Sequence, residues 1–107
     1  MNLYQAKRGV TMYAQLSIIT IGPEMRSTAE KIGDQGFAVL RTLKGFKNVT
    51  FFGDVTAGEY GSLSLWESKE DAEAAAAVMG PKVEQAVSGI AKAPPTRRFY
   101  EVYEPKA

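Results

Sequence analysis

Trp66, the single tryptophan of the chain, is the residue best suited to recognise an aromatic ligand. Its indole combines a large apolar ring with one N–H donor, which suits the wall of an aromatic-ligand pocket. The competing interpretation is structural, because a lone tryptophan where a strand meets a helix is more often part of the core. We predict Trp66 as a catalytic-site residue and keep core packing as the alternative.

Gln15 and Ser17 interrupt an otherwise apolar segment near the N-terminus. If that segment is a β-strand, residues two positions apart share one face. Amide and hydroxyl groups need hydrogen-bond partners when they are buried, and a substrate oxygen is one such partner. The alternative is a hydrogen bond at the sheet edge or across a dimer. We predict Gln15 as catalytic and Ser17 as substrate-binding.

An arginine pair and an aromatic residue mark the C-terminal part of the chain. In a strand, Arg98 and Tyr100 share one face and Arg97 takes the other. Because an arginine can stabilise negative charge that develops on a substrate oxygen, we assign Arg98 to catalysis. Tyr100 and the more distant Phe52 are assigned to substrate binding. The alternative is a rim salt bridge of small energetic worth with a neighbouring glutamate or a partner chain.

Asp54, Glu59 and Tyr60 fall at a predicted hairpin. Carboxylates at such turns are usually solvated. A general-base role for either one requires a shifted pKa, for which the sequence offers no sign. We therefore expect these residues to be turn residues.

The 107-residue chain contains no cysteine and no histidine. The first absence excludes disulfides, zinc–thiolate sites, iron–sulfur clusters and thiol nucleophiles. The second excludes Ser-His-Asp catalysis, histidine-bound zinc or non-haem iron, and haem with a proximal histidine. Acid–base chemistry must come from Asp, Glu, Lys, Tyr or the substrate itself. We predict neither a metal nor a cofactor.

Charge and hydropathy limit the partners. The chain has 13 basic and 12 acidic residues and a net charge of +1. This balance gives no reason to expect nucleic acid or an anionic membrane as a partner. No apolar run approaches the roughly 20 residues that span a bilayer, and residues 1–9 lack the apolar core of a signal peptide. We expect a cytoplasmic protein whose partner is a small aromatic molecule.

The apolar pattern predicts six elements that position these residues. Strands are predicted at residues 13–21, 49–55, 62–67 and 96–103, one helix at 24–43, and a second helix after residue 68. Ser68, with Asp71 three positions later, forms a variant of the capping box. Gly80 and Pro81 predict a kink in the second helix, or its division into two short helices.

This order indicates an α+β fold of the ferredoxin-like βαββαβ kind. Right-handed crossovers place two helices on one face of a four-stranded antiparallel sheet. The first strand is apolar in both phases, so the other face also needs a cover, which a second copy of the chain can supply. We predict a homodimer, a dimeric α/β barrel built from a domain of residues 12–107. Residues 1–11 form an extension that we expect to be frayed.

Two short motifs carry a resemblance to a known family. Residues 65–72 (LWESKEDA) and 43–46 (LKGF) resemble the strand-to-helix signature and the end of the first helix in the antibiotic biosynthesis monooxygenase family. The resemblance covers about residues 12–103. It implies a homodimer whose sheets form a barrel, with a pocket between the sheet and helices of each subunit. Activities in such proteins include cofactor-free oxidation of aromatic polyketides to quinones, haem degradation and oxygenation of small quinols.

The haem-degrading branch of this superfamily is matched only in part. That branch uses an asparagine on the first strand, a tryptophan on the third and a histidine on the second helix. Trp66 matches the tryptophan, and Gln15 or Leu16 falls near the asparagine. The histidine has no counterpart, so haem degradation by that mechanism is not expected.

The resemblance favours a cofactor-independent, monooxygenase-like activity on a small electron-rich aromatic, either a hydroquinone or an anthrone. In that reaction the substrate loses a proton and its carbanion reacts directly with O2. A non-enzymatic, dimeric ligand-binding module is the alternative. A further alternative is haem binding without degradation, for which tyrosine is the available ligand type with precedent.

Overall fold

The computed structural model describes residues 11–106, and its elements follow the predicted order. They are β1 (Tyr13–Thr20), α1 (Arg26–Leu40), β2 (Phe46–Asp54), β3 (Glu59–Trp66), α2 (Lys69–Ala86) and β4 (Ala93–Glu101). The βαββαβ prediction is therefore confirmed. The extension predicted for residues 1–11 lies outside the described residues, apart from Thr11.

The four strands form one antiparallel sheet in the order β2-β3-β1-β4, so β2 and β4 are its edges. Alternate residues of β1 point to opposite sides of this sheet. We call the side that carries Gln15, Ser17 and Ile19 the helix face, because α1 and α2 pack there. The opposite side, which carries Leu16 and Ile18, is the open face.

Two clusters on the helix face form the core. One surrounds Trp66 and includes Leu40 of α1 and Met79 of α2. The other lies at the opposite end of the sheet, around Ile21 and Tyr60. Apolar positions of both helices contribute to these clusters. Both helices therefore pack against the sheet near each of its ends, and a cavity remains between the two clusters.

The start of α2 follows the predicted cap. Ser68 has extended backbone geometry, and its hydroxyl accepts a hydrogen bond from the Asp71 N–H over 3.1 Å. The predicted division of this helix is wrong, because α2 continues through Pro81 to Ala86. Pro81 lacks an N–H and leaves one carbonyl of the preceding turn unpaired, which the surrounding packing tolerates.

The last strand begins three residues earlier than predicted, at Ala93, and includes Pro94 and Pro95. Prolines are accepted here because β4 is an edge strand, and because the register with β1 shifts between Ile18 and Thr20. The two prolines, which would normally end a strand, are thus accommodated by the bulge at the sheet edge.

Candidate functional site

A central cavity of about 80 Å³ lies between the helix face of the sheet and the two helices. Most of its walls are apolar, with residues from α1, α2 and three strands. The polar exceptions are Ser17 of β1 and Tyr60 and Ser62 of β3. A mostly apolar cleft with a few convergent polar groups is the usual form of a small-molecule site.

Two glycines of α1 keep this space open. A Cβ atom on Gly33 would lie 3.5 Å from the Phe51 ring, and one on Gly36 would lie 3.7 Å from the Met79 methyl group. Alanine would fit at both positions, and each glycine costs the helix about 1 kcal/mol relative to alanine. At the two positions that border the cavity, the chain therefore has a residue that makes the helix less stable than alanine would.

The cavity is itself partly open, and two larger grooves adjoin it. A groove of about 460 Å³ runs along α1 and the β2–β3 hairpin and shares Gly33, Phe51 and Tyr60 with the cavity. A second, of about 320 Å³, lies between the helices and shares Gly36 and Met79 with it. A ligand larger than the cavity therefore has room to extend toward solvent.

Three buried side-chain atoms lack a hydrogen-bond partner within residues 11–106, and all three belong to the helix face. They are Gln15 Oε1, Tyr60 OH and Arg97 Nε. Ser17 is at their centre, because it pairs with Ser62 on β3 and with Arg97 on β4. Gln15 and Tyr60 lie two residues along their strands from this row. An unpartnered buried polar atom costs about 1–3 kcal/mol, so this grouping is what an unfilled polar site would show.

Tyr60 and Gln15 are nearly inaccessible to solvent, at 8% and 4% exposure. Tyr60 reaches this position because its ring packs over Gly53 of the neighbouring strand, where a side chain would collide with it. The prediction of Tyr60 as a turn residue is therefore wrong. Its even spacing with Ser62, Ser64 and Trp66 was the sequence signal that places it on the helix face.

Arg97 extends from β4 under α2. Its Nη1 atom is 3.1 Å from the point where a Cβ atom of Gly80 would lie, so an alanine there would require the guanidinium to shift by a few tenths of an ångström. Burial lowers the pKa of Arg97, and the nearby negative charge of Glu84 partly opposes this effect. Arg97, and not Arg98, is the arginine of the helix face.

Trp66 is fully buried and does not line the central cavity. Its ring packs edge-on against Phe46, with 5.5 Å between ring centroids. Its N–H donates to Ser64 Oγ over 2.8 Å, and that hydroxyl donates to the Gln15 carbonyl over 3.4 Å. The predicted role as wall and free donor is corrected, because the indole is a core residue that supports the strand carrying Gln15.

Arg98 and Tyr100 lie on the open face, opposite Leu16 and Ala14 of β1. The sheet separates them from Gln15, so the predicted group of Trp66, Gln15 and Arg98 does not converge. The Phe52 ring also packs on the open face, over Gly61, although Phe52 borders the hairpin-side groove. Ser17 is the predicted substrate-binding residue that lines the cavity.

The fold of this chain is similar to that of several solved structures. A candidate antibiotic biosynthesis monooxygenase from Nitrosomonas europaea superposes with a TM-score of 0.73 at 10% identity, over 90% of this chain and 94% of that one. The chain has the antibiotic biosynthesis monooxygenase fold. No protein-family model and no curated protein matches the sequence.

Two further structures with this fold have named activities. A point variant of SnoaB, a cofactor-independent oxygenase from Streptomyces nogalater, has a TM-score of 0.69 at 12% identity, over 88% of this chain and 95% of that one. A monooxygenase from ActVA-Orf6 of Streptomyces coelicolor, in complex with nanaomycin D, has a TM-score of 0.64 at 18% identity, over 92% of each chain. These identities establish the shared fold, which agrees with the family resemblance of the two motifs.

Within the described part of the chain, no helix is long and apolar enough to cross a membrane. Residues 11–106 also contain no group of three or more acidic side chains arranged to hold a metal ion.

Proposed function

We propose that this chain is a cofactor-independent, monooxygenase-like protein that oxidises a small electron-rich aromatic of the hydroquinone or anthrone type. The observation that carries the proposal is the cavity on the helix face. There, apolar walls surround the hydroxyls of Ser17 and Ser62 and the unpartnered phenol of Tyr60. The fold shared with a cofactor-independent oxygenase supports the same reaction class.

The reaction needs positioning more than protein-borne acid–base groups. The substrate loses a proton to solvent, and its carbanion attacks O2. One oxygen atom stays on the attacked carbon as a carbonyl, and the other leaves as water with two substrate hydrogens. In this scheme the Tyr60 hydroxyl donates to the substrate oxygen that becomes negative.

Tyr60→Phe tests this assignment by removing one hydroxyl from the cavity. We expect oxygen uptake with an anthrone and hydroquinone panel to fall about tenfold or more, because a hydrogen bond to a charged oxygen is worth roughly 1.5–3 kcal/mol. We also expect the free energy of unfolding to stay equal or to rise by about 1 kcal/mol, because the lost hydroxyl had no partner. An oxygen electrode and urea denaturation measure the two effects.

Tyr13→Phe is the matched control. It removes a phenol of the same face that lies outside the cavity and donates to Glu101 over 3.3 Å. Uptake that falls equally in both variants would contradict a specific role for Tyr60.

A non-enzymatic binding module is the second candidate, and one observation favours it. Among the described residues that line the central cavity, Tyr60 is the only titratable one, so no acid–base pair faces a ligand there. Saturable binding of an aromatic without oxygen uptake, across the whole panel, would establish this alternative over the oxygenase.

We further propose that the chain works as a homodimer through the open face of its sheet. Large apolar side chains remain accessible there, with Phe52, Leu63 and Tyr100 each 43–45% exposed. Leu16 and Ile18 lie on the same side, opposite Arg98 and Thr96 of β4. Contiguous exposed apolar surface of this kind usually marks an interface, and an identical sheet is a self-complementary cover.

Leu63→Lys tests the dimer by placing a charge at the middle of the open face. We expect light scattering to show a dimer for the unaltered chain and a monomer for this variant, because an unpaired buried charge costs several kcal/mol. Val78→Lys is the control, because Val78 is 39% exposed on the helix layer. A monomer at all concentrations of the unaltered chain would rule out the barrel.

A further inference from the structure

Arg97 places a positive charge in a position that the proposed reaction does not yet use. Its side chain emerges on the helix face and lies against α2 at Gly80. Within residues 11–106, no carboxylate forms an ion pair with it, and its buried Nε has no hydrogen-bond partner. Glu84 acts on it only from a distance, through charge. A buried donor without a hydrogen-bond partner is costly, so the position of Nε calls for a ligand.

The cavity borders the strand position of Arg97, although Arg97 itself is not among the residues that line it. Ser17, which lines the cavity, is directly opposite Arg97 on the neighbouring strand. Side chains in that relation have Cβ atoms about 4.5–5.5 Å apart. From the other side, Met79 lines the cavity and is followed in α2 by Gly80, against which the guanidinium lies. Arg97 is thus flanked by two cavity residues.

The remaining groups around Arg97 do not neutralise it. The neighbouring strand β1 contributes the uncharged Gln15 and Ser17. Beyond it, β3 contributes Ser62 and Tyr60 to the cavity, and of these two only Tyr60 is titratable. α2 contributes Glu84. The local field therefore favours a negative ligand oxygen near Ser17.

We propose that Arg97 and Ser17 form an oxyanion subsite of the cavity, which selects aromatic ligands with an ionisable hydroxyl and holds them as the phenolate or enolate. The inference rests on the cavity of the proposed function and explains how a substrate can ionise without a histidine. The O–H bond of the ligand breaks, its proton passes to bulk water, and the electron pair stays on the oxygen. Arg97 and the Ser17 hydroxyl then donate to that oxygen.

Ionisation of 4-nitrophenol, whose phenolate absorbs visible light, tests the subsite without requiring turnover. We expect the acid dissociation constant of the bound phenol to be about ten- to a thousandfold larger than that of the free phenol, as an opposite charge within a few ångströms produces. In Arg97→Gln this increase should disappear, whereas Arg97→Lys should retain much of it. Absorbance titrations at saturating protein measure the constants, and circular dichroism confirms that each variant is folded.

Arg98→Gln is the matched control, because it removes the same charge from the next residue on the opposite face. We expect this variant to increase the acid dissociation constant of the bound phenol as much as the unaltered chain does. The subsite is overturned if the unaltered chain does not bind the phenol or does not enhance its ionisation. It is also overturned if Arg97→Gln matches the unaltered chain, or if only Arg98→Gln loses the effect.

The same variants separate this inference from the oxygenase proposal. Enhanced ionisation that depends on Arg97, without oxygen uptake from any panel member, supports the subsite and refutes the oxygenase. Oxygen uptake that is unchanged in Arg97→Gln supports the oxygenase and refutes the subsite as part of its mechanism.

Discussion

Replacement of Trp66 by alanine is expected to lower the free energy of unfolding by about 3–5 kcal/mol, the range for a large buried aromatic. Trp66 has no exposed surface and packs against Phe46 in the cluster that joins β3 to both helices. The change also removes the indole N–H that donates a hydrogen bond to Ser64 Oγ. Because domains of this size are stable by about 5–15 kcal/mol, the loss is a large part of the total.

Urea denaturation followed by circular dichroism measures this effect, since the variant has no tryptophan fluorescence. Trp66→Phe is the companion variant, because it retains an aromatic ring and loses the hydrogen bond to Ser64. We expect a smaller loss of stability from it than from alanine. A loss below about 1 kcal/mol in Trp66→Ala would show that the indole is not packed as described, and would restore its interpretation as a ligand-contacting residue.

Gly58→Ala is expected to cost about 2–5 kcal/mol, the sum of a backbone penalty and a collision. Gly58 is buried in the β2–β3 hairpin with a φ of +74°, and its added Cβ would overlap the backbone of Gly22. Its carbonyl also accepts from the Ile21 N–H over 2.9 Å, which ties the hairpin to the end of β1. Backbone cannot move aside as the end of a side chain can, so the collision should break this connection.

Gly89→Ala separates the two contributions. Gly89 has a φ of +84°, but apart from its two chain neighbours no described residue has an atom within 4 Å of the position of an added Cβ. This variant should therefore lose only the conformational part, about 1–2 kcal/mol, in the same urea experiment. Equal losses at the two glycines would mean that the approach of the hairpin to Gly22 is looser than the structure shows.

The order of elements was predictable because it depends on local patterns. The strand and helix periods, the Ser68 cap and the glycines at turns are each encoded within a few residues. The cavity was less predictable, because Gly33 and Gly36 in a helix signal a weak helix as readily as an opening beneath it. Only the position of Phe51 and Met79 below α1 shows that these glycines border empty space.

The site residues depended on a choice of face that local patterns leave open. β1 is apolar in both phases, so its sequence does not indicate which side carries the helices. The choice of face determines which side chains lie on the same side of the sheet as the cavity. Arg97 lies on that side, whereas Arg98 and Tyr100 lie on the other. Trp66 shows a different difficulty, since composition cannot distinguish a buried indole that supports a site from one that lines it.

The prolines of β4 have a consequence for how copies of this chain meet. A new strand can join a sheet only where the edge offers an uninterrupted row of N–H and C=O groups. Pro94 and Pro95 have no N–H, and the β2 edge is interrupted between Phe46 and Asn48, where its register with β3 shifts. Addition of a further strand is therefore discouraged at the prolines of β4 and at the start of β2. At these residues, a contact between sheet edges is thus less favourable than the face-to-face contact proposed above.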